Sequence, residues 1–275
     1  MRQTLPAAIR LFASMLVLVW GSAVALAHEF WISPEAYQIA AGDPIVANLR
    51  VGEKLTGSAY PFLPRNTERF EIYLNGEQQE VTSRIGDRPA LNQPLNGDGL
   101  AIVVHETTDL TLTYRKWEKF EAFTNHKGFS WAQDKHRARG LPETGFKEAY
   151  RRFAKSLVSL GGGKGEDMTV GLETEIVALA NPYSYDLSTG LPVQVLFRGE
   201  PRSDVQVEVF ERPPDGDVAV SLHQTNEDGI AIIPLDAGTE YLIDAVVMLT
   251  VEPEEEGGPV WRSLWASLTF RAPDL

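Results

Sequence analysis

Only five residues of this 275-residue chain carry an imidazole (His28, His105, His126, His136 and His223), and none carries a thiol. Thiolate zinc sites, iron–sulfur clusters, disulfides, cysteine nucleophiles and a lipoprotein anchor cysteine are thereby excluded. A transition metal must then be held by nitrogen and oxygen donors, and imidazole suits nickel, cobalt, copper and zinc. His28 stands out by position. Arg2 and Arg10 precede an apolar run from Leu11 to Trp20, and small residues follow, ending in Ala25-Leu26-Ala27. These are the three regions of a secretory leader, and the apolar run is too short to span a bilayer. Cleavage after Ala27 makes His28 the first residue of an exported, periplasmic chain. Its α-amine and ring nitrogen can then close one chelate around a divalent ion. Histidine at position one differs from the amino-terminal copper/nickel motif, which has it at position three, so further ligands must come from the fold.

His105 ends the apolar run Ala101-Ile102-Val103-Val104 beside Glu106, and His126 follows an aromatic segment containing Phe123. Both fall in the same expected domain as His28, so His28, His105 and His126 form the candidate ligand set. His136 lies between Lys135 and Arg137, and His223 reads as a surface strand residue. No short ligand spacing such as H-x-x-x-H occurs, so no pair is fixed by local sequence. Imidazole ligation predicts about one bound divalent ion, with binding fading below about pH 6 as the rings protonate.

Other chemistries have less support. The formal charge of −13, from 25 Lys+Arg against 38 Asp+Glu, argues against nucleic acid, which basic surfaces bind by releasing counterions. Gly161-Gly162-Gly163-Lys164 resembles a phosphate loop in composition, but Gly165 stands where a magnesium-holding Ser/Thr belongs. Asn226-Glu227-Asp228-Gly229 lacks the length and distal Glu of a calcium loop and reads as a hairpin turn. Glu252 to Gly258 is a solvated acidic loop. No G-x-S-x-G elbow occurs, which leaves hydrolase chemistry without a signature.

The elements that must position the histidines are mostly strands. Ile45, Ala47, Leu49 and Val51 alternate with more polar neighbours, as do Phe70, Ile72 and Leu74. Asn75-Gly76 then supplies a tight hairpin turn. Leu100 to Val104 and Leu110 to Tyr114 continue the pattern. Between Lys116 and Leu160 charged and aromatic residues interleave, and Phe146, Tyr150, Phe153, Leu157 and Leu160 recur at spacings of about 3.6, which predicts a helix begun at Thr144 and stopped by Gly161. After Leu172, Val193 to Phe197, Val205 to Val209, Ile230 to Ile232, Tyr241 to Val247 and Leu264 to Phe270 read as strands of a small sandwich.

Ala27-His28-Glu29-Phe30-Trp31, Gly171 to Val177 with Asn181-Pro182-Tyr183, and Trp261 to Phe270 together make the chain resemble the family of domain of unknown function 4198, often labelled a periplasmic component of cobalt/nickel uptake. Leu196 to Pro201 and Thr225 to Gly229 resemble a carboxypeptidase-regulatory-like or immunoglobulin-like module. The resemblance implies a mainly β protein: a leader over 1–27, a β domain with a helical segment over 28–170, and a β-sandwich over 171–275. It also implies a non-catalytic metal-binding role, with nickel or cobalt ahead of copper or zinc and a membrane importer as partner. Two other readings remain open. One is a copper histidine-brace enzyme with Trp31 or Trp131 as substrate platform; the other is an adhesion or scaffold module.

Overall fold

The computed structural model describes residues 28–184 and 186–274, with the side chain of Leu187 excepted. The leader expected over residues 1–27 lies outside the described residues. The strands, in chain order, are β1 (Glu29–Pro34), β2 (Gln38–Ile39), β3 (Pro44–Glu53), β4 (Thr56–Tyr60), β5 (Thr67–Leu74), β6 (Glu77–Glu80), β7 (Leu91–Pro94), β8 (Gly99–Thr107) and β9 (Leu110–Tyr114). Helices α1 (Trp117–His126) and α2 (Trp131–Ala138) follow. The remainder is β10 (Phe146–Leu160), β11 (Thr174–Ala178), β12 (Leu191–Phe197), β13 (Glu200–Pro201), β14 (Gln206–Arg212), β15 (Ala219–Gln224), β16 (Ile230–Ile233), β17 (Glu240–Thr250) and β18 (Pro259–Arg271). The protein is mainly β, as its alternating patterns predict.

A central sheet of ten strands runs β15-β14-β17-β18-β10-β8-β5-β6, with β2 and β9 also paired to β10. It takes strands from both sides of the 170/171 boundary. Alternation along its middle strands directs residues to opposite faces. Ala101, Val103, Ala154 and Val158 pack with Ile32, Ile45, Leu49 and Leu91 of the sheet formed by β1, β3, β4 and β7. Leu100, Ile102, Val104, Phe153 and Leu157 pack with Ile176, Val193, Val195 and Ile233 of the sheet formed by β11, β12, β13 and β16. The central sheet is thus covered on both faces. Asn75 and Gly76 have φ of 53° and 80°, the paired positive angles of the hairpin turn joining β5 to β6.

The segment Phe146–Leu160 is a strand, which corrects the expected helix. It pairs in parallel with β18 from Lys147↔Pro259 to Ser156↔Thr269, and antiparallel with β9 and β8. Spacings of four keep parity in a strand as well as a face in a helix, so they fit both. The spacings of three cross from one face of β10 to the other, and both faces are buried, so they too carry apolar residues. The helical insertion exists, but earlier in the chain. Trp117, Phe120 and Phe123 of α1 and Ala132 of α2 are buried against Tyr114, Phe146, Trp261 and Trp265. No helix among the described residues is long and apolar enough to cross a membrane.

Candidate functional site: a histidine-lined cavity at the chain's start

A cavity of about 490 Å³ opens where the first strand meets the central sheet. That volume lies within the range of small-molecule sites, about 300–1,000 Å³. His28, Phe30, Tyr60, Thr67, His105, Tyr150 and Arg152 are on its wall, with apolar area from Leu49, Val51, Leu63 and Leu110. The β1–β3 pairing, Glu29↔Gly52 through Pro34↔Ala47, sets His28 beside Glu53 at the ladder's end. Its Nδ1 approaches Glu53 Oε1 to 3.2 Å but is buried without an aligned hydrogen-bond partner.

His105 lies on β8 opposite Phe70 of β5, between the Phe30 and Phe70 rings at 5.2 and 5.1 Å. Only 2% of it is exposed, and burial pushes its pKa down to about 3, so the ring is neutral at physiological pH. Its tautomer follows from its neighbour. Thr67 Oγ1 donates to the Leu63 carbonyl at 3.1 Å, which uses its one proton. His105 Nε2, 3.2 Å from that oxygen, must therefore be the N–H that donates to it. Nδ1 is left with a lone pair and no partner. Two of the expected ligands, His28 and His105, thus share one cavity, and each has an Nδ1 without a hydrogen bond, that of His28 beside the Glu53 carboxylate.

Arg152 supplies the cavity's charge. Its Nη2 donates to the His28 carbonyl at 3.1 Å, and its guanidinium lies over the Tyr150 and Phe30 rings at 4.9 and 5.7 Å. The sequence concealed it. Arg151-Arg152 falls on the polar side of the helix expected there, and only the strand turns Arg152 toward β1.

His126 is placed elsewhere. It closes α1 on a second cavity, of about 470 Å³, that shares no lining residue with the first. Its Nε2 meets Glu208 at 2.9 and 3.1 Å, and this carboxylate raises its pKa. Behind it, the buried Lys127 ammonium lies 3.3 Å from Glu29, 2.5 Å from Glu208 and 2.8 Å from Asp244. A lysine occupies the centre of this acidic cluster, where a bound cation would otherwise be compensated. Burial, with the repulsion of Asp244, raises the Glu29 pKa to about 7 despite Lys127. These partners are separated by 81 to 117 positions in sequence, so no local motif announces them.

The remaining histidines have structural partners. His136 accepts from Trp261 Nε1 at 3.0 Å through Nδ1 and donates from Nε2 to the Pro142 carbonyl at 3.0 Å. His223 lies on β15 with Ser221 Oγ at 3.0 Å. Trp31 is 1% exposed and offers no platform, whereas Trp131 is 48% exposed. Among the described residues no three His, Asp or Glu side chains converge as a metal cluster. Any ion at the first cavity would thus rest on the two imidazoles and a donor besides these side chains.

The profile of the family described as Domain of unknown function (DUF4198) matches residues 25–248, and the chain belongs to that family. No curated protein matches. Among solved structures, a tetra-tandem repeat in the extending region of a large adhesion protein is 10% identical with a TM-score of 0.22, the match covering 89% of this chain and 49% of that one. A mutant of Salmonella alpha-2-macroglobulin is 12% identical with a TM-score of 0.24, over 88% of this chain and 15% of that one. The chain therefore spans about half, or less, of these neighbours.

Proposed function

We propose that this protein is an exported carrier of a divalent transition metal, nickel or cobalt ahead of copper or zinc, with His28 and His105 as ligands. The observation that supports the reading is the pair of buried Nδ1 atoms without a hydrogen bond on one cavity wall, that of His28 lying 3.2 Å from the Glu53 carboxylate. A buried imidazole nitrogen without a hydrogen bond is costly, and a soft or borderline cation is the group that such a lone pair accepts best. Thr67 fixes the His105 ring so that Nδ1 is the free nitrogen, the supporting hydrogen bond that metal-binding histidines use. When the leader is removed after Ala27, the His28 amine becomes the third nitrogen donor. Three nitrogens leave open positions, which suits an ion that is passed on to a membrane importer.

The test is calorimetric titration of the exported, leader-free protein, its N-terminal residue first identified by mass, with nickel, cobalt, copper and zinc. His28→Ala and His105→Ala should each weaken nickel binding at least tenfold. His126→Ala should leave it within twofold, because that ring lies on the other cavity. Absence of saturable binding by any of the four ions at neutral pH would remove the carrier reading.

A further inference from the structure

The first cavity is too large and too apolar for a metal ion alone. Its fourteen lining residues include no aspartate or glutamate, and its single formal charge is the Arg152 guanidinium. In a chain with 38 acidic residues against 25 basic, an uncompensated arginine is the exception. Several other interior cations are matched: Lys127 by three carboxylates, Lys155 by Asp167 and Glu175, and Arg151 by Glu106, whereas Arg202 also lacks a carboxylate among the described residues and donates to the Val246 carbonyl at 2.9 Å. Among the described residues Arg152 meets no carboxylate within 4 Å, and of its five N–H donors one is engaged, by the His28 carbonyl.

The guanidinium is nonetheless held firmly. Tyr150 and Phe30 stack against it, and Thr107 Oγ1 accepts from its backbone N–H at 3.0 Å. A fixed guanidinium with free N–H groups is the form in which arginine recognises carboxylates, by a two-pronged hydrogen bond. The rest of the wall defines the body of the ligand. Phe30, Leu49, Leu63 and Leu110 are apolar, while Tyr60, whose oxygen accepts from Asn66 at 3.1 Å, offers a hydroxyl proton.

We infer that this cavity binds a small organic carboxylate with an apolar or aromatic body, the carboxylate being received by the Arg152 guanidinium beside His28 and His105. Such an anion also eases a conflict in the site, because a divalent ion and a guanidinium in one cavity repel. A carboxylate between them attracts both and offsets part of that repulsion. The carboxylate site stands on Arg152 alone; only its pairing with a metal rests on the carrier reading. The carboxylate then comes from one of two sources, a free acid or the chelator that delivers the ion.

Benzoate and picolinate distinguish these sources, since they share an aromatic carboxylate and picolinate alone also chelates nickel strongly through its ring nitrogen. Both should bind the metal-free protein saturably, and Arg152→Gln should weaken both at least tenfold with an unchanged far-UV spectrum. Arg152→Lys keeps the charge without the fork and should lose at least threefold. In the wild type, the Arg152 Nε–H resonance should shift on benzoate addition, a readout that needs no variant to fold. A nickel-dependent gain confined to picolinate identifies the chelator source, and equal affinity with and without nickel identifies the free acid. Absence of saturable binding by either anion, or full affinity in Arg152→Gln, would overturn the inference. A protein that binds benzoate through Arg152 but no nickel would retain this site and lose the carrier reading.

Discussion

Glu148 and His136 show how single side chains resolve buried polarity in this protein. Glu148 is fully buried on β10, accepts from Tyr114 at 2.8 Å and from Ser263, and burial raises its pKa to about 7. An unfolded glutamate titrates near 4.3. The folded state therefore holds a proton that the unfolded chain releases, so the contribution is fully present below about pH 4.3 and is lost as pH rises to about 7. Glu148→Gln, which cannot ionise, should gain about 2–3 kcal/mol relative to the wild type between pH 5 and pH 8, read by urea denaturation at both values. An unchanged difference between the two proteins would refute the assignment. Trp261→Phe removes the donor to His136 Nδ1 and should cost about 1–3 kcal/mol in thermal or urea unfolding, because that nitrogen is left buried and unpaired. At this scale much of the site was legible. The position after the expected leader singles out His28, whereas the free nitrogen of His105 depends on Thr67, which is 38 positions away.

At the scale of elements, strands with one buried face were readable, as were the short apolar runs buried on both faces at Leu100 to Val104, Tyr241 to Val247 and Leu264 to Phe270, whereas the long strand β10 was not. The region Ile45 to Val51 alternates because β3 is an outer-layer strand, with Ile45, Ala47 and Leu49 inward. β10 is covered on both faces, so its residues carry no alternation, and polar side chains are buried with it. Lys155 is the clearest: 1% exposed, it is 2.8 Å from Asp167 and 3.1 Å from Glu175 and also donates to the Met168 carbonyl at 2.9 Å. A lysine within an apolar run looks like the polar face of a helix until its partners are seen. The two carboxylates also accept from the backbone of Met168, Val170 and Ala178, so the cluster ties the segment after the glycine run to the central sheet. Lys155→Met leaves both carboxylates buried without their cation and should cost about 3–5 kcal/mol. Adding Asp167→Asn and Glu175→Gln should recover a large part of that loss, since no charge then remains uncompensated. A single substitution with less than about 1 kcal/mol effect in urea denaturation would show that the cluster is hydrated.

At the scale of the molecule, the division expected between residues 170 and 171 meets a sheet that crosses it. β18 pairs with β17 along eleven residues and with β10 in parallel along ten, so the last strand of the chain joins its two parts. The same strand reaches the first: Ser267 Oγ donates to the Phe30 carbonyl and Thr269 Oγ1 to the Ile32 carbonyl, each at 2.8 Å. Parallel pairing between such distant segments gives no signal in local sequence, which registers strands but not their neighbours. Shared strands predict shared stability. Urea unfolding followed by far-UV circular dichroism and by emission of the buried Trp31, Trp261 and Trp265 should give one coincident transition. Removing residues 259–275 should abolish it, because β17 and β10 then lose their common neighbour and the core face bearing Leu264, Leu268 and Phe270. The cavity would be lost with it, since β1 docks on β18 through those two hydroxyls. Two separated transitions, each seen by circular dichroism and by tryptophan emission because Trp31 lies in one part and Trp261 and Trp265 in the other, would instead establish residues 28–170 and 171–275 as independently stable units.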